Sequence, residues 1–342
     1  MERTENTARG ELLASLPAFA GFYPRESLLV LGAVPTHDGT FTLASLARLD
    51  IDEIANKPGQ TTSDLVHLFR GATAPAVFVV VASHRNEETA DLPLVSEVDV
   101  LVTALRSAGF ATIEAIHVPE FAKGARWSTY GDSDLHGTLP DPATTDFALA
   151  LTYLGHQIHS DRDALIAQFD PAPQSQRAPL EPLVRSVVQA VRDETATNNL
   201  AALRSRLDEL ESALTTPNST SAPLSDQQIA NLIGAFASIV IADAVVSFAE
   251  NEEADLPNML LKLLRLAPQP QAAAIAGVLA AVSYLRGEGV WAGLAASAVK
   301  PPTNLSLGIS QAMGLGMPHD FVSTALLRGA GEALQILRPP AS

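Results

Sequence analysis

The chain reads as an α/β protein: a mixed, mostly parallel sheet with flanking helices in the N-terminal half, followed by an all-α helical module. Three observations predict this. The run Ala76–Ala82 (AVFVVVA) is apolar and rich in β-branched residues, as a strand covered on both faces requires. Strand-like and helix-like segments alternate up to about position 140, which implies crossovers that lay helices on a sheet. From Thr144 onward apolar residues recur only at helical spacing.

The elements follow in order. Thr7–Leu16 predicts a short helix capped by Thr7, with Leu12, Leu13 and Leu16 on one face. Pro17 suits the first position of a separate turn, and Gly21 suits the left-handed residue that ends it. Ser27–Val34 is a strand, Thr36–Gly39 a turn, and Phe41–Ile51 the returning arm of a hairpin. Ser63–Gly71 is helical, and Ala76–Ala82 is the buried strand. Pro93–Gly109 is an amphipathic helix that turns Val95, Val98, Val102 and Leu105 inward. Thr112–Val118 and Ala125–Tyr130 complete the strands.

Beyond the loop Asp134–Gly137 the texture changes. Thr144–Ile158 and Asp161–Phe169 predict helices, with Thr144 or Thr145 and Ser160 as caps. Pro171–Pro179 holds three prolines and reads as a linker. Leu200, Leu203, Leu207, Leu210 and Leu214 repeat at spacings of three and four, a seam suited to a helical hairpin. Asp226–Phe248 reads as one buried helix, and Leu256–Leu266 as another with acidic residues before its start. Ala272–Pro302 reads as two small-residue helices joined at Gly287-Glu288-Gly289. That pair is similar to one tetratricopeptide unit, but a single unit cannot bury its own face, so an ordinary bundle is predicted. The resulting domains are 1–142 for the sheet, 143–172 for a helical extension of it, 173–179 for the linker and 180–338 for the helical domain.

Composition excludes several functions. Hydrophobic residues make up 47% of 342 residues and charged residues 18%, which predicts packed cores rather than disorder. The net charge is −16 and the 22 basic residues form no stripe, so neither nucleic acid nor an anionic membrane is the expected partner. The chain has no cysteine, which removes disulfides, thiol catalysis and thiolate metal sites. The N-terminal stretch lacks the apolar core of a signal peptide, and no apolar segment is long and uninterrupted enough to span a bilayer. A cytoplasmic protein is expected.

Candidate chemistry is sparse. No serine lies in a G-x-S-x-G elbow, and no phosphate-binding glycine loop follows a strand. His156 and His159 stand three apart, without the HExxH pattern of a zinc helix. Asp132, Asp134 and His136 alternate in one loop, where oxygen ligands and an imidazole could hold a cation, but ordinary turn chemistry explains the same pattern. On a strand, Arg126, Ser128 and Tyr130 share one face, and Trp127 takes the other as a core anchor. Arg126, Tyr130, Asp132, Asp134 and His136 are therefore the candidate ligand-binding residues, with an Arg126–Asp132 pair that pins the loop as the structural alternative.

Three segments carry a resemblance: ELLASLPAFAGFYPRESLLVLG, then RWSTY followed by GTLPDP, then YLRGEGVWAGLAASAV. In that order they resemble the actinobacterial family catalogued as domain of unknown function 4192. The resemblance implies no reaction and no catalytic residues. Many relatives carry cysteines after the aromatic strand, where this chain has Gly131–His136, so a metal or redox role built on them fails here. The sequence thus predicts a non-catalytic cytoplasmic binding or scaffolding protein that meets a protein partner, or itself, through its helical half. No cofactor and no metal are expected. The alternative is a small-ligand sensor or enzyme with its site at the sheet edge, near Arg126, Tyr130 and Asp132.

Overall fold

The computed structural model describes residues 2–35, 41–71, 76–85, 91–131, 135–153, 157–215, 224–251 and 255–339. The chain divides into two compact units, Met1–Leu165 and Ile166–Ser342. The division falls inside the segment 143–172.

The first unit opens with α1 (Glu2–Ala20), a single helix in which Thr7 is internal and Pro17 is included. Proline costs that helix a hydrogen bond, yet Leu13, Ala14, Leu16, Ala18 and Ala20 are all buried along it. Packing therefore overrides the break expected at Pro17. Gly21, at φ +77°, ends the helix as the sequence predicts.

β1 (Ser27–Pro35) pairs antiparallel with β2 (Phe41–Asp50), the expected hairpin; its turn at 36–39 lies outside the described residues. The register slips at Gly32/Ala33, which leaves Ala44 as a bulge in β2. α2 (Ile51–Asn56) and α3 (Pro58–Gly71) follow at once. The helical stretch thus starts well before the expected Ser63, and its signals are a Glu53 carboxylate that accepts the Asp50 N–H at 3.3 Å and Pro58 at a first helical position.

β3 (Ala76–Ala82) is buried along its whole length. α4 (Val95–Ser107) leads to β4 (Ala111–Val118), and β5 (Arg126–Thr129) and β6 (His136–Thr138) complete the sheet. α4 buries Val98, Leu101, Val102 and Leu105, whereas Val95, expected inward, is exposed. The strand order is β2-β1-β3-β4-β5-β6 among the described residues. Among the described residues only β3 and β4 run parallel, and the other neighbouring pairs are antiparallel. The sheet is mixed, but the expected parallel majority is corrected: α4 alone supplies the crossover that a parallel pair needs, and the close returns β1–β2 and β5–β6 can only be antiparallel.

Alternation along the strands makes two cores. Leu29, Leu31, Phe78, Val80, Ile116 and Trp127 pack with Leu13 and Leu16 of α1. Leu28, Val30, Val77, Val79 and Val81 pack on the other face with Phe69 of α3 and with α4.

α5 (Asp146–Tyr153) is capped by Thr145, whose Oγ1 accepts the Ala148 N–H at 3.3 Å. The expected helix does not continue to Ile158. Instead His159 makes a backbone bridge to the α1–β1 link, accepting the Tyr23 N–H at 3.0 Å and donating to Gly21 O at 2.9 Å. α6 (Arg162–Ile166) is capped by Asp161, not Ser160, and runs into a 3-10 turn at Ala167–Phe169.

The strap at His159 carries a pH prediction. Its side chain is buried, and that burial lowers its pKa while the Asp161 charge opposes the shift. A histidine whose folded pKa lies below its unfolded value binds its proton more weakly when folded, so stability is lost as pH falls below about 6.5. Urea melts at pH 7.5 and 5.5 should therefore show a larger acid loss for the wild type than for His159→Gln. Equal losses would contradict the assignment.

In the second unit the 3-10 turn is followed by α7 (Gln174–Arg177), a short helix inside the segment expected as a linker. The Ala172 N–H bonds Arg265 O at 2.8 Å just before it. α8 (Leu180–Ala196) and α9 (Leu200–Thr215) follow, and Leu203, Leu207, Leu210 and Leu214 are buried as the seam predicts. The expected helix Asp226–Phe248 is broken into α10 (Asp226–Ala235) and α11 (Ile239–Val246), bent by 94°. α12 (Leu256–Leu266), α13 (Gln271–Leu285), α14 (Gly289–Ser297), α15 (Asn304–Gly314) and α16 (His319–Leu337) complete the bundle around one core. Among the described residues no single helix is long and apolar enough to cross a membrane.

Candidate functional site

The register of β5 and β6 sets Arg126 opposite Thr138 and Ser128 opposite His136. Arg126 and His136 are exposed on the side away from Trp127. Arg126 makes no side-chain hydrogen bond or ion pair among the described residues. Tyr130 stands differently. Its hydroxyl donates to Pro93 O at 2.7 Å, and burial pushes its pKa well up. Four residues along a strand separate its Cα from that of Arg126 by about 13 Å. Tyr130 is thus spent on holding the chain before α4 and does not join Arg126 around one small group. Asp132 and Asp134 lie outside the described residues, as does His156. Among the described residues no three His, Asp or Glu side chains group as a metal site would.

Trp127 occupies the opposite face and is 1% exposed. A Cβ on Gly137 would lie 2.7–2.9 Å from three atoms of its indole, so β6 needs glycine there. A Cβ on Gly10 of α1 would come within 3.1 Å of Thr138 O. The segments RWSTY, GTLPDP and the N-terminal helix therefore meet in one packing knot.

A polar cluster that the sequence did not reveal sits where β3 ends and β1 begins. Glu26 holds φ at +42°, a left-handed conformation strained for any residue with a side chain. Its carboxylate accepts from Ser83 Oγ at 2.9 Å, the His84 N–H at 3.1 Å and Arg85 Nε at 2.7 Å. Arg85 also reaches Asp52 Oδ1 at 2.7 Å, and the Ile51 N–H bonds Glu26 O at 3.0 Å. One glutamate thus ties the start of β1, the end of β3 and the start of α2. Only the αL backbone aims it there, and single-sequence patterns do not report φ.

Ser83, His117 and Glu26 have the residue types of a hydrolytic triad, but the atoms are wrongly connected. His117 Nε2 lies 2.8 Å from the carbonyl oxygen of Ser83, not from its hydroxyl. Ser83 is fully buried and gives its hydroxyl proton to Glu26. The imidazole contact goes to the Ser83 carbonyl, so the Ser–His link that a triad requires is not made. The cluster is a clamp. Glu26→Ala should cost about 1–3 kcal/mol, because it strips charge-assisted bonds and leaves the Ser83 hydroxyl proton without its acceptor. Glu26→Gly should recover part of that loss, since glycine adopts positive φ freely. Urea denaturation of both variants checks the order.

The second unit leaves several large apolar side chains uncovered. Leu307 and Leu315 on and beside α15, and Phe321 and Ile336 on α16, are 44%, 56%, 64% and 52% exposed. In the first unit Leu149 and Tyr153 on α5 are exposed too, directly before residues outside the described set.

A family model described as Domain of unknown function (DUF4192) matches residues 10–319. Neither a curated protein nor a solved structure matches the chain.

Proposed function

The chain belongs to the family described as Domain of unknown function (DUF4192), and on that premise we propose that it is a non-catalytic, cytoplasmic protein-binding module acting through its helical unit. The observation that carries this is the set of exposed apolar residues Leu307 on α15, Leu315 just after it, and Phe321 and Ile336 on α16. Large apolar groups left in water cost solvation unless a partner covers them. The clamp at Glu26 supports the same view from the other side, since its one buried hydroxyl is committed to structure. Affinity capture from the native cell tests it, with Leu315→Ser/Phe321→Ser as control. A stoichiometric partner retained by the wild type and lost by a control of equal Tm is the expected result. Equal recovery by both would refute it.

A small anionic ligand at the sheet edge is the alternative, favoured by the exposed Arg126 beside His136, with no ion pair to Arg126 among the described residues. Thermal shift against a panel of small anions checks it, because a ligand at 100 times its Kd stabilises by about 2.7 kcal/mol. Arg126→Ala should abolish such a shift and leave the unliganded Tm alone.

A further inference from the structure

We propose that α16 pairs antiparallel with α16 of a second copy, so that the partner of the helical unit is the chain itself. The proposal rests on the protein-binding role above and names its occupant. At 100° per residue, Phe321, Ala325, Arg328, Gly329, Glu332 and Ile336 fall within an arc of about 100°, and all six are exposed. The opposite side of the helix is buried through Val322, Ala330, Ala333 and Leu337. One face of α16 is therefore used by its own unit, and the other stays open among the described residues.

That open face is complementary to itself. A two-fold axis between residues 328 and 329 sets Phe321 of one copy against Ile336 of the other, twice. It brings Gly329 to the crossing point, where a missing side chain lets two backbones approach. A Cβ on Gly329 would meet nothing within 4 Å in its own chain, so intramolecular packing gives no reason for a helix-weakening residue there. The charges fit as well. Arg328 and Glu332 form an exposed pair four residues apart in one helix. Across the axis, Arg328 of each copy lies about 4.5 Å along the helix from Glu332 of the other, within reach of an ion pair. Two symmetric pairs then flank the crossing, as an isologous contact demands. The net charge of −16 opposes association at long range, so the measurement belongs at about 0.15 M salt, where the screening length is about 8 Å.

Sedimentation velocity of the full chain over a concentration series provides the test. The wild type should dimerise. Arg328→Glu and Glu332→Arg should each raise the dimer Kd at least about tenfold, because each sets like charges across the axis. An equimolar mixture of those two variants should recover the dimer, since the wholly acidic face of the first would then meet the wholly basic face of the second. Gly329→Ala should weaken the dimer without lowering the monomer's helicity. A wild type that stays monomeric overturns the proposal, as does a dimer indifferent to both charge reversals. The capture experiment separates the two failures. A different protein retained through Leu315 and Phe321 keeps the binding role and removes the self-pairing.

Discussion

Trp127→Ala is expected to lower the stability of the first unit by about 3–5 kcal/mol, the usual cost of deleting a buried aromatic. The indole is 1% exposed and packs in one cluster with Leu13 and Leu16 of α1 and Ile116 of β4. β5 and β6 are short, pairing through only three residues each, so backbone bonds alone hold them weakly. Removing the ring takes away the surface on which β6 and the Gly10, Leu13 and Leu16 side of α1 rest. Its Nε1 has no hydrogen-bond partner among the described residues, so the loss is one of packing rather than polar contact. Gly137→Ala attacks the same knot by overfilling it, at about 1–3 kcal/mol, since the new methyl would meet the ring at 2.7 Å. Urea denaturation followed by far-ultraviolet circular dichroism reads both. A loss below about 1 kcal/mol for Trp127→Ala would contradict its role as the anchor.

Gly234→Ala should destabilise the second unit by about 1–3 kcal/mol, and Val187→Ala should relieve only the part of the clash that falls on Cγ1, because alanine keeps the Cβ at 2.7 Å. A Cβ at Gly234 would lie 2.4 Å from Val187 Cγ1 and 2.7 Å from Val187 Cβ. A terminal methyl can swing away, but a Cβ moves only with its backbone. α8 and α10 would therefore have to separate. In the double variant one methyl is added where two are removed and the Cγ1 contact is gone, so the two effects should fall short of additive. Additive losses in the double-mutant cycle would mean that the two residues do not touch.

Much of this architecture was legible in the residues. The β-branched run of β3 and the leucine seam of α9 announce themselves because burial on both faces, or along one stripe, needs a fixed period. Gly21 and Gly287 were readable for the same kind of reason, since both adopt the positive φ that glycine permits. Pro17 misled because its local cost is outweighed by the buried face around it. The parallel majority misled because alternating elements do not reveal which strands are joined by a crossover and which by a bend. At the candidate site Trp127 was readable from its strand position. Tyr130 was placed on the correct face, yet what its hydroxyl would meet depends on Pro93, far away in sequence. The Glu26 clamp was invisible, because its strain and its three donors arise only once β1 and β3 are neighbours.

Hydrogen–deuterium exchange of the full chain, alone and with its captured partner, tests the central claim most directly. Binding through the helical unit should slow exchange across α15 and α16, from Asn304 to Leu337, and leave β5 and β6 unchanged. Slowed exchange confined to Arg126–Thr138 would contradict the claim and place the functional surface on the sheet edge.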